Sequence, residues 1–370
     1  MADETAQILL KRLDSLVVQR QTWESHWQEV ADYVVPRKAD VTKNRSAGDK
    51  RSELVFDGTA IHAAELLAAS LHGMLTNGST SWFSLRYSDR ELNGDDEAME
   101  WLQSVEDVMY QAFNRSNFQE QIAELYLDLV TFGTAVMFVD KDEDQQVRFS
   151  TRHIRECFLS EDDKGRVDTV YRRFKMPARA AMQRFGDEKF DNKIQQKAAK
   201  NPYEEITLVH AVFPREERDA TKVTAENKPF ASVYIEPDQK VVLSESGFDE
   251  FPYMAPRFTK ASSELGYGRS PSMTALPDIK MLNKMSEVTI RAAQKQVDPP
   301  LLVPDDGFML PVRTIPGGLN FYRAGTRDRI EPLNIGANNP LGLNMEEQRR
   351  QAIRAAYYVD QLILGTGPQM

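Results

Sequence analysis

The chain has 370 residues, 41% hydrophobic and 28% charged, a globular composition with room for more than one core, since single cores stop growing near about 250–300 residues. A formal net charge of −10, from 56 acidic and 46 basic residues, excludes tight binding to a nucleic-acid backbone over the whole surface, which needs a net excess of Lys and Arg on the contact face. No apolar run approaches the roughly 18 residues of a membrane helix; MADETAQILLKRLDSL lacks the basic and apolar regions of a secretory leader, and the single cysteine, Cys157, excludes an internal disulfide.

Leu13, Leu16, Trp23, Trp27, Val30 and Val34 recur at steps of three, four and seven, which predicts one amphipathic helix over residues 4–34, stopped by Pro36. The polar and basic PRKADVTKNRSAGDKRS reads as a loop. A second helix fits Thr59 to Leu75, with Asn77-Gly78 as its C-terminal cap. WFSLRY follows as a strand. Helices then fit Glu97 to Asn114 and Phe118 to Phe132, the latter capped by Gly133.

Beyond Gly133 the texture changes. TAVMFVD, VRFSTR, CFLSE, VDTVYRRFK, EITLVHAVF, ASVYIE and KVVLSE are short, β-branched and aromatic runs separated by turn-forming pieces. MPARAAMQRFG and KFDNKIQQKAAK interrupt them as short helices. Residues 1 to about 260 are therefore expected to form an α+β body, helices first and a mostly antiparallel sheet region after. YMAPRFTK reads as a further strand, GYGRS as a loop, and Ser270 to Gln296 as a long helix with Ser270 as N-cap and Pro271 in its first turn. A proline-rich segment follows, with short strands at LLV, LPVRT and NFYRA. A second helix fits Asn344 to about Leu364, and Asn344 with Glu347 makes a capping box at its start. The closing GTGPQM is neither capped nor charged like a natural tail, so the chain is expected to be truncated there.

The chemical motifs fail one by one. GMLTNGST approximates a P-loop, but Ser79 stands where the lysine belongs and the order is helix, glycines, strand instead of strand, glycines, helix. Asp140, Asp142 and Asp144 have the spacing that opens an EF-hand loop, yet Gln145 and Thr151 occupy the glycine and glutamate positions. His26, His62, His72, His153 and His210 form no metal signature, and Cys157 has no nucleophile context. Gly266-x-Gly268-x-x-Pro271 has the strand–loop–helix order of a dinucleotide fingerprint but lacks its third glycine. A nucleotide-dependent nucleic-acid-processing enzyme using the Gly266–Ser270 loop stays open as the alternative function, and a monomeric or small-oligomer scaffold as a third.

The long helix carries more information. With Met281 at zero and about 100° per residue, Met281, Met285, Val288 and Ala292 fall within about 60° of one another. Leu276, Ile279, Ile290 and Ala293 fall on the other side. Lys280, Lys284, Arg291 and Lys295 form a basic stripe between the two, opposite Asp278, Thr289 and Gln296. Two apolar flanks with two polar edges suit a helix in a ring of like helices; they also suit a helix held between two elements of its own chain.

WESHWQEVADYVVPRK, FDGTAIHAAELLAASLHGMLTNGSTSWFSL, GYGRSPSMTALPDIKMLNKMSE and QLILGTGPQM together resemble the portal, or head-to-tail connector, proteins of short-tailed, T7-like phages, and the resemblance covers essentially the whole chain. It implies a twelve-fold ring of copies around a DNA channel at one capsid vertex. Residues 1–262 would be the wing, 263–296 the first stem helix, 297–340 a small β-containing clip, 341–358 the second stem helix, and 359–370 the start of the tunnel loop, with the C-terminal crown absent. Met281, Met285, Val288, Ala292, Ile279 and Ile290 would pack the ring. Lys280, Lys284, Arg291, Lys295, Arg349, Arg350 and Arg354 would either face double-stranded DNA in the channel or pair with carboxylates of a neighbouring subunit. Phe308, Leu310, Arg313, Phe321, Tyr322 and Arg323 would dock tail adaptor proteins on the clip. The other implied partners are a separate terminase ATPase and the capsid and scaffold proteins, with no membrane, no cofactor and no catalysis by the chain itself. The implied place is the head-tail vertex of the virion, reached from the host cytoplasm during assembly.

Overall fold

The N-terminal recurrence builds α1 (Ala2–Val34), 33 residues long, in a computed structural model that describes residues 2–302, apart from 47, 143, 145, 220, 223 and 265, together with 331–332 and 340–365. The two halves of α1 serve different cores. Ala6, Leu9 and Leu13 pack against a sheet, while Trp27, Val30, Ala31 and Val34 enter a second, larger cluster. Each fully buried side chain of Leu or Val size contributes about 1.5–3 kcal/mol. Trp27 is fully buried and its indole N–H donates to the Phe132 carbonyl at 3.0 Å, so the polar edge of the ring is satisfied inside the core. Pro36 stops the helix and opens a short 3₁₀ turn, Pro36–Lys38.

The second helix, α2 (Thr59–Leu75), has the predicted bounds, but not the predicted cap. It ends at Thr76, whose N–H donates to the His72 carbonyl, and Gly78 does not adopt a left-handed φ. Asn77 instead accepts the Ser79 N–H at 2.9 Å, a local turn that competes with continued helix. WFSLRY is not a strand. Its N–H groups go to side chains: Phe83 to the Tyr110 hydroxyl, Leu85 to Glu106 and Tyr87 to Asn93. β-rich residues here form an extended strap over α3 (Asp96–Arg115), with Trp82 and Phe83 against Tyr110 and Phe113, and no strand among the described residues pairs with it. α4 (Phe118–Phe132) ends, as predicted, at Gly133 with φ +76°.

The predicted strands form two antiparallel sheets. β1 (Val136–Asp142) and β2 (Gln146–Arg152) make a hairpin, and β8 (Tyr253–Met254) adds to its edge in the order β2-β1-β8. YMAPRFTK is therefore a strand only at Tyr253–Met254, continued by single bridges from Arg257 to Thr134 and from Thr259 to Arg269; Pro256 lacks the N–H that a longer ladder needs. The larger sheet runs β3 (Cys157–Glu161), β4 (Val167–Pro177), β5 (Glu205–Pro214), β6 (Phe230–Glu236) and β7 (Val241–Phe248) in sequence order. Its period-2 alternation sends Tyr171, Val209, Ala211, Val233 and Ile235 to the face under α1. Phe174, Ile206 and Leu208 point to the opposite face, which α5 (Ala178–Phe185) and α6 (Asn192–Lys200) cover.

α7 (Pro271–Val297) is the long helix, roughly 40 Å at 1.5 Å per residue. Pro277 lies inside it. After it, Leu301–Leu302 (β9) pairs with Glu331–Pro332 (β10); the expected strands LPVRT and NFYRA lie outside the described residues. The second long helix, α8 (Pro340–Ala356), starts four residues before Asn344, which therefore lies inside the helix and cannot cap it. It also stops earlier than predicted. Tyr358 takes a φ of +58°, and a separate short helix, α9 (Val359–Gly365), follows. The cause is the preceding residue: Tyr357 is fully buried and its hydroxyl bonds to Ser272 Oγ at 2.7 Å, which pins the chain to α7 and turns it there.

Candidate functional site

The Gly266–Ser270 loop is a structural joint. Gly266 has a φ of +78°. Gly268 lies against backbone: a Cβ there would meet the Thr259 carbonyl oxygen at 2.6 Å and the Gly133 oxygen at 2.8 Å. Three of the loop's donors are already used. Gly268 N–H donates to Thr134 Oγ1 at 2.8 Å, Arg269 N–H to the Thr259 carbonyl at 2.8 Å, and Ser270 Oγ donates to the Thr131 carbonyl while accepting the Met273 N–H at 3.0 Å. The neighbouring cleft is lined by Glu161, Asp162 and Glu264 together with Arg269, which is paired with Glu264. Ser270 is thus the predicted N-cap and Pro271 the first helical residue, and the loop fastens α7 to the end of α4.

α7 has one face closed by its own chain and one left open. Leu276, Ile279, Leu282, Asn283 and Ser286 are buried. Asn283 holds the 54–57 segment, donating to the Leu54 carbonyl and accepting the Phe56 N–H. The polar edge meets α8: Asp278 binds Arg349 at 2.7 Å, and Thr289 donates to Glu346 at 2.6 Å. On the other side Met281 is 49% exposed and Val288 54%. Met285 and Ala292 are half-buried, and from Val288 to Val297 every residue except Ala292 is exposed. Ile279 packs inside the chain's own core and Ile290 is exposed, so the six apolar residues singled out in the sequence do not share one surface.

The basic residues are largely met by carboxylates of the same chain. Lys280 binds Glu29 at 2.5 Å; Lys284 and Arg291 share Glu287 at 3.0 and 2.6 Å. Arg350 binds Asp57 at 3.0 Å and Glu346 at 3.1 Å. Lys295 and Arg354 are exposed and have no carboxylate partner among the described residues. The exposed pairs of Lys280, Lys284 and Arg291 contribute little to stability, but they cut the positive field of the stripe. Phe308, Leu310, Arg313, Phe321, Tyr322 and Arg323 lie outside the described residues.

Elsewhere the titratable groups are built into the body. Cys157 is buried and burial pushes its thiol up to about 12, so it is a poor nucleophile. Burial lowers His153 and His210, the latter to about 3. No three His, Cys, Asp or Glu side chains gather as a metal site among the described residues, and none of the described helices is long and apolar enough to cross a membrane. One residue that periodicity could not flag is Arg20. It is 2% exposed on the apolar face of α1, stacks 3.7 Å over Phe158, and donates to the carbonyls of Ile154, Arg155 and Cys157 and to Glu24. An arginine at a core-facing helical position is the only signal the sequence holds for it.

The sequence matches known proteins over nearly its whole length. The family of bacteriophage head to tail connecting proteins matches residues 6–370. A probable portal protein of Bordetella phage BPP-1 is 32% identical over 383 residues, covering 100% of this chain and 68% of that protein. A portal protein of Salmonella phage epsilon15 is 30% identical over 366 residues, covering 97% of this chain and 66% of that protein. The chain spans about two thirds of the length of each relative.

Proposed function

We propose, from the premise that this chain belongs to the bacteriophage head to tail connecting protein family, that it assembles with copies of itself into a closed ring, twelve-fold, at one capsid vertex. The ring is the channel through which double-stranded DNA is packaged and ejected, and the platform on which terminase, tail adaptor proteins and the capsid dock. The work of moving DNA belongs to the terminase; this chain supplies the conduit. In this reading residues 1–262 form the wing, α7 and α8 the stem, the 297–340 segment the clip, and 359–370 the start of the tunnel loop. The site of action is the virion vertex, after assembly in the host cytoplasm.

The observation that carries the proposal is the half-closed state of α7. One face is packed on the chain's own body and on α8; the other exposes Met281 and Val288 along a helix whose last turns are exposed. A closed ring needs such a heterologous contact, one patch on each subunit meeting a different patch on the next. The muted charge fits a conduit as well. With most basic groups paired, DNA meets only weak, salt-screened attraction and can slide. Negative-stain images of the purified protein test this: closed rings with a central hole support it, and a strictly monomeric species at high concentration contradicts it.

A further inference from the structure

Between the two main sheets lies a cleft of about 500 Å³ that the connector reading does not use. Its construction follows from strand register. Asp140 faces Arg148 and Val136 faces Arg152 across β1 and β2, while Arg172, His210 and Tyr234 line up across β4, β5 and β6. The alternation of both sheets turns Arg148 and Arg152 from one side, and Arg172 from the other, toward the same space. Arg184 of α5 and Lys175 of β4 complete the basic lining, and Asp140 is the one carboxylate among the lining residues.

The pairing of these cations is uneven. Arg172 is bonded to Glu156 at 2.8 Å. Arg148 lies a loose 3.7 Å from Asp142, and Lys175 an exposed 3.4 Å from Glu205. Arg152 and Arg184 have no carboxylate partner among the described residues. Arg152 is the telling group. The residue is half-buried; its Nε is buried and makes no hydrogen bond among the described residues, and its guanidinium lies 5.9 Å from the Phe138 ring. Arg184 donates to the Tyr234 hydroxyl at 2.9 Å and stacks on that ring at 4.7 Å, which fixes it at the rim. A buried guanidinium donor left without a partner is costly, and an oxyanion in the cleft would meet it. Burial and the nearby charge of Arg172 push Arg152 below its ordinary value, and burial first, then Arg172, Arg184 and Arg152, lower His210.

We propose that this cleft binds a phosphate-type oxyanion, held by Arg152 and Arg184 with Arg148 and Lys175 at its mouth. The planar forks of two guanidiniums match tetrahedral oxygens, and two unpaired cations call for a ligand of about two negative charges, more than a single carboxylate brings. The oxyanion has two possible sources, free phosphate and the phosphodiester backbone. The proposal stands apart from ring formation, because every residue in it belongs to one chain.

Isothermal titration of the full chain with inorganic phosphate at constant ionic strength tests it. One saturable site per chain is expected, weakened at least about tenfold in Arg152→Gln and in Arg184→Gln. Arg184 is exposed on α5, so its variant keeps the fold even where Arg152→Gln does not. A short DNA duplex that phosphate displaces identifies the backbone as the source; phosphate binding without duplex binding identifies the free ion. Absence of saturable phosphate binding, or unchanged affinity in Arg184→Gln, overturns the proposal.

Discussion

Gly133 and Gly268 interlock: a Cβ on Gly133 would sit 2.4 Å from the Gly268 oxygen, and one on Gly268 would sit 2.8 Å from the Gly133 oxygen. The two glycines bring the end of α4 and the start of α7 into backbone contact, closer than any other residue pair allows. Gly133 also needs its φ of +76°. Gly268→Ala is expected to cost about 1–3 kcal/mol through overpacking. Gly133→Ala adds a left-handed backbone penalty and is expected to cost about 2–5 kcal/mol. Chemical denaturation midpoints check both, and an unshifted Gly268→Ala would show that the joint can relax.

Arg20 ties α1 to the entry of β3 by donating to three carbonyls and one carboxylate. Arg20→Met keeps much of the volume but strands those acceptors, and a loss of about 3–5 kcal/mol is expected. Arg20→Lys should recover less than half, because one ammonium cannot reproduce the guanidinium fork. Near-ultraviolet circular dichroism during denaturation reads both variants.

His210 makes the body acid-sensitive. Its ring lies 2.9 Å from Ser232 Oγ and stacks on Tyr234, and burial first, then Arg172, Arg184 and Arg152, lower it from 6.5 to about 3. A depressed folded value means that the unfolded chain takes up the proton first, so the stability is present above pH 6.5 and is lost as pH falls toward 3. The expected loss from this group is about 2 kcal/mol at pH 5 relative to pH 8. His210→Gln should flatten the slope of stability against pH over that window, whatever its effect at neutral pH. A parallel slope would assign the acid sensitivity to other groups.

Helices with a clean 3.6 period and strands with β-branched alternation were legible because local pattern and burial agree there: α2, α4, and β1 to β7 fall where the sequence puts them. WFSLRY was not, since its propensity is that of a strand and only the side chains of Tyr110, Glu106 and Asn93, on or next to α3, decide that it is a strap. Asn344 carried a cap signal that Pro340, four residues earlier, made redundant. The long-range charge pairs of the long helices were invisible for a different reason. Lys280 finds Glu29 and Arg350 finds Asp57 from 251 and 293 residues away, and no periodicity reports a contact at that separation. The basic stripe and its local partners Glu287 and Glu346 lie within one helical turn and could be read; the pairs with Glu29 and Asp57 could not.

The central claim is that the open face of α7 is a contact between copies of this chain, and a charge placed on it measures that directly. Met281→Glu with Val288→Glu alters two exposed positions and should leave the fold of the 42.2 kDa subunit intact. Native mass spectrometry should find the unaltered protein as a closed multiple of the subunit mass and the double variant as a monomer with an unchanged circular dichroism spectrum. The same ring mass in both proteins would contradict the account.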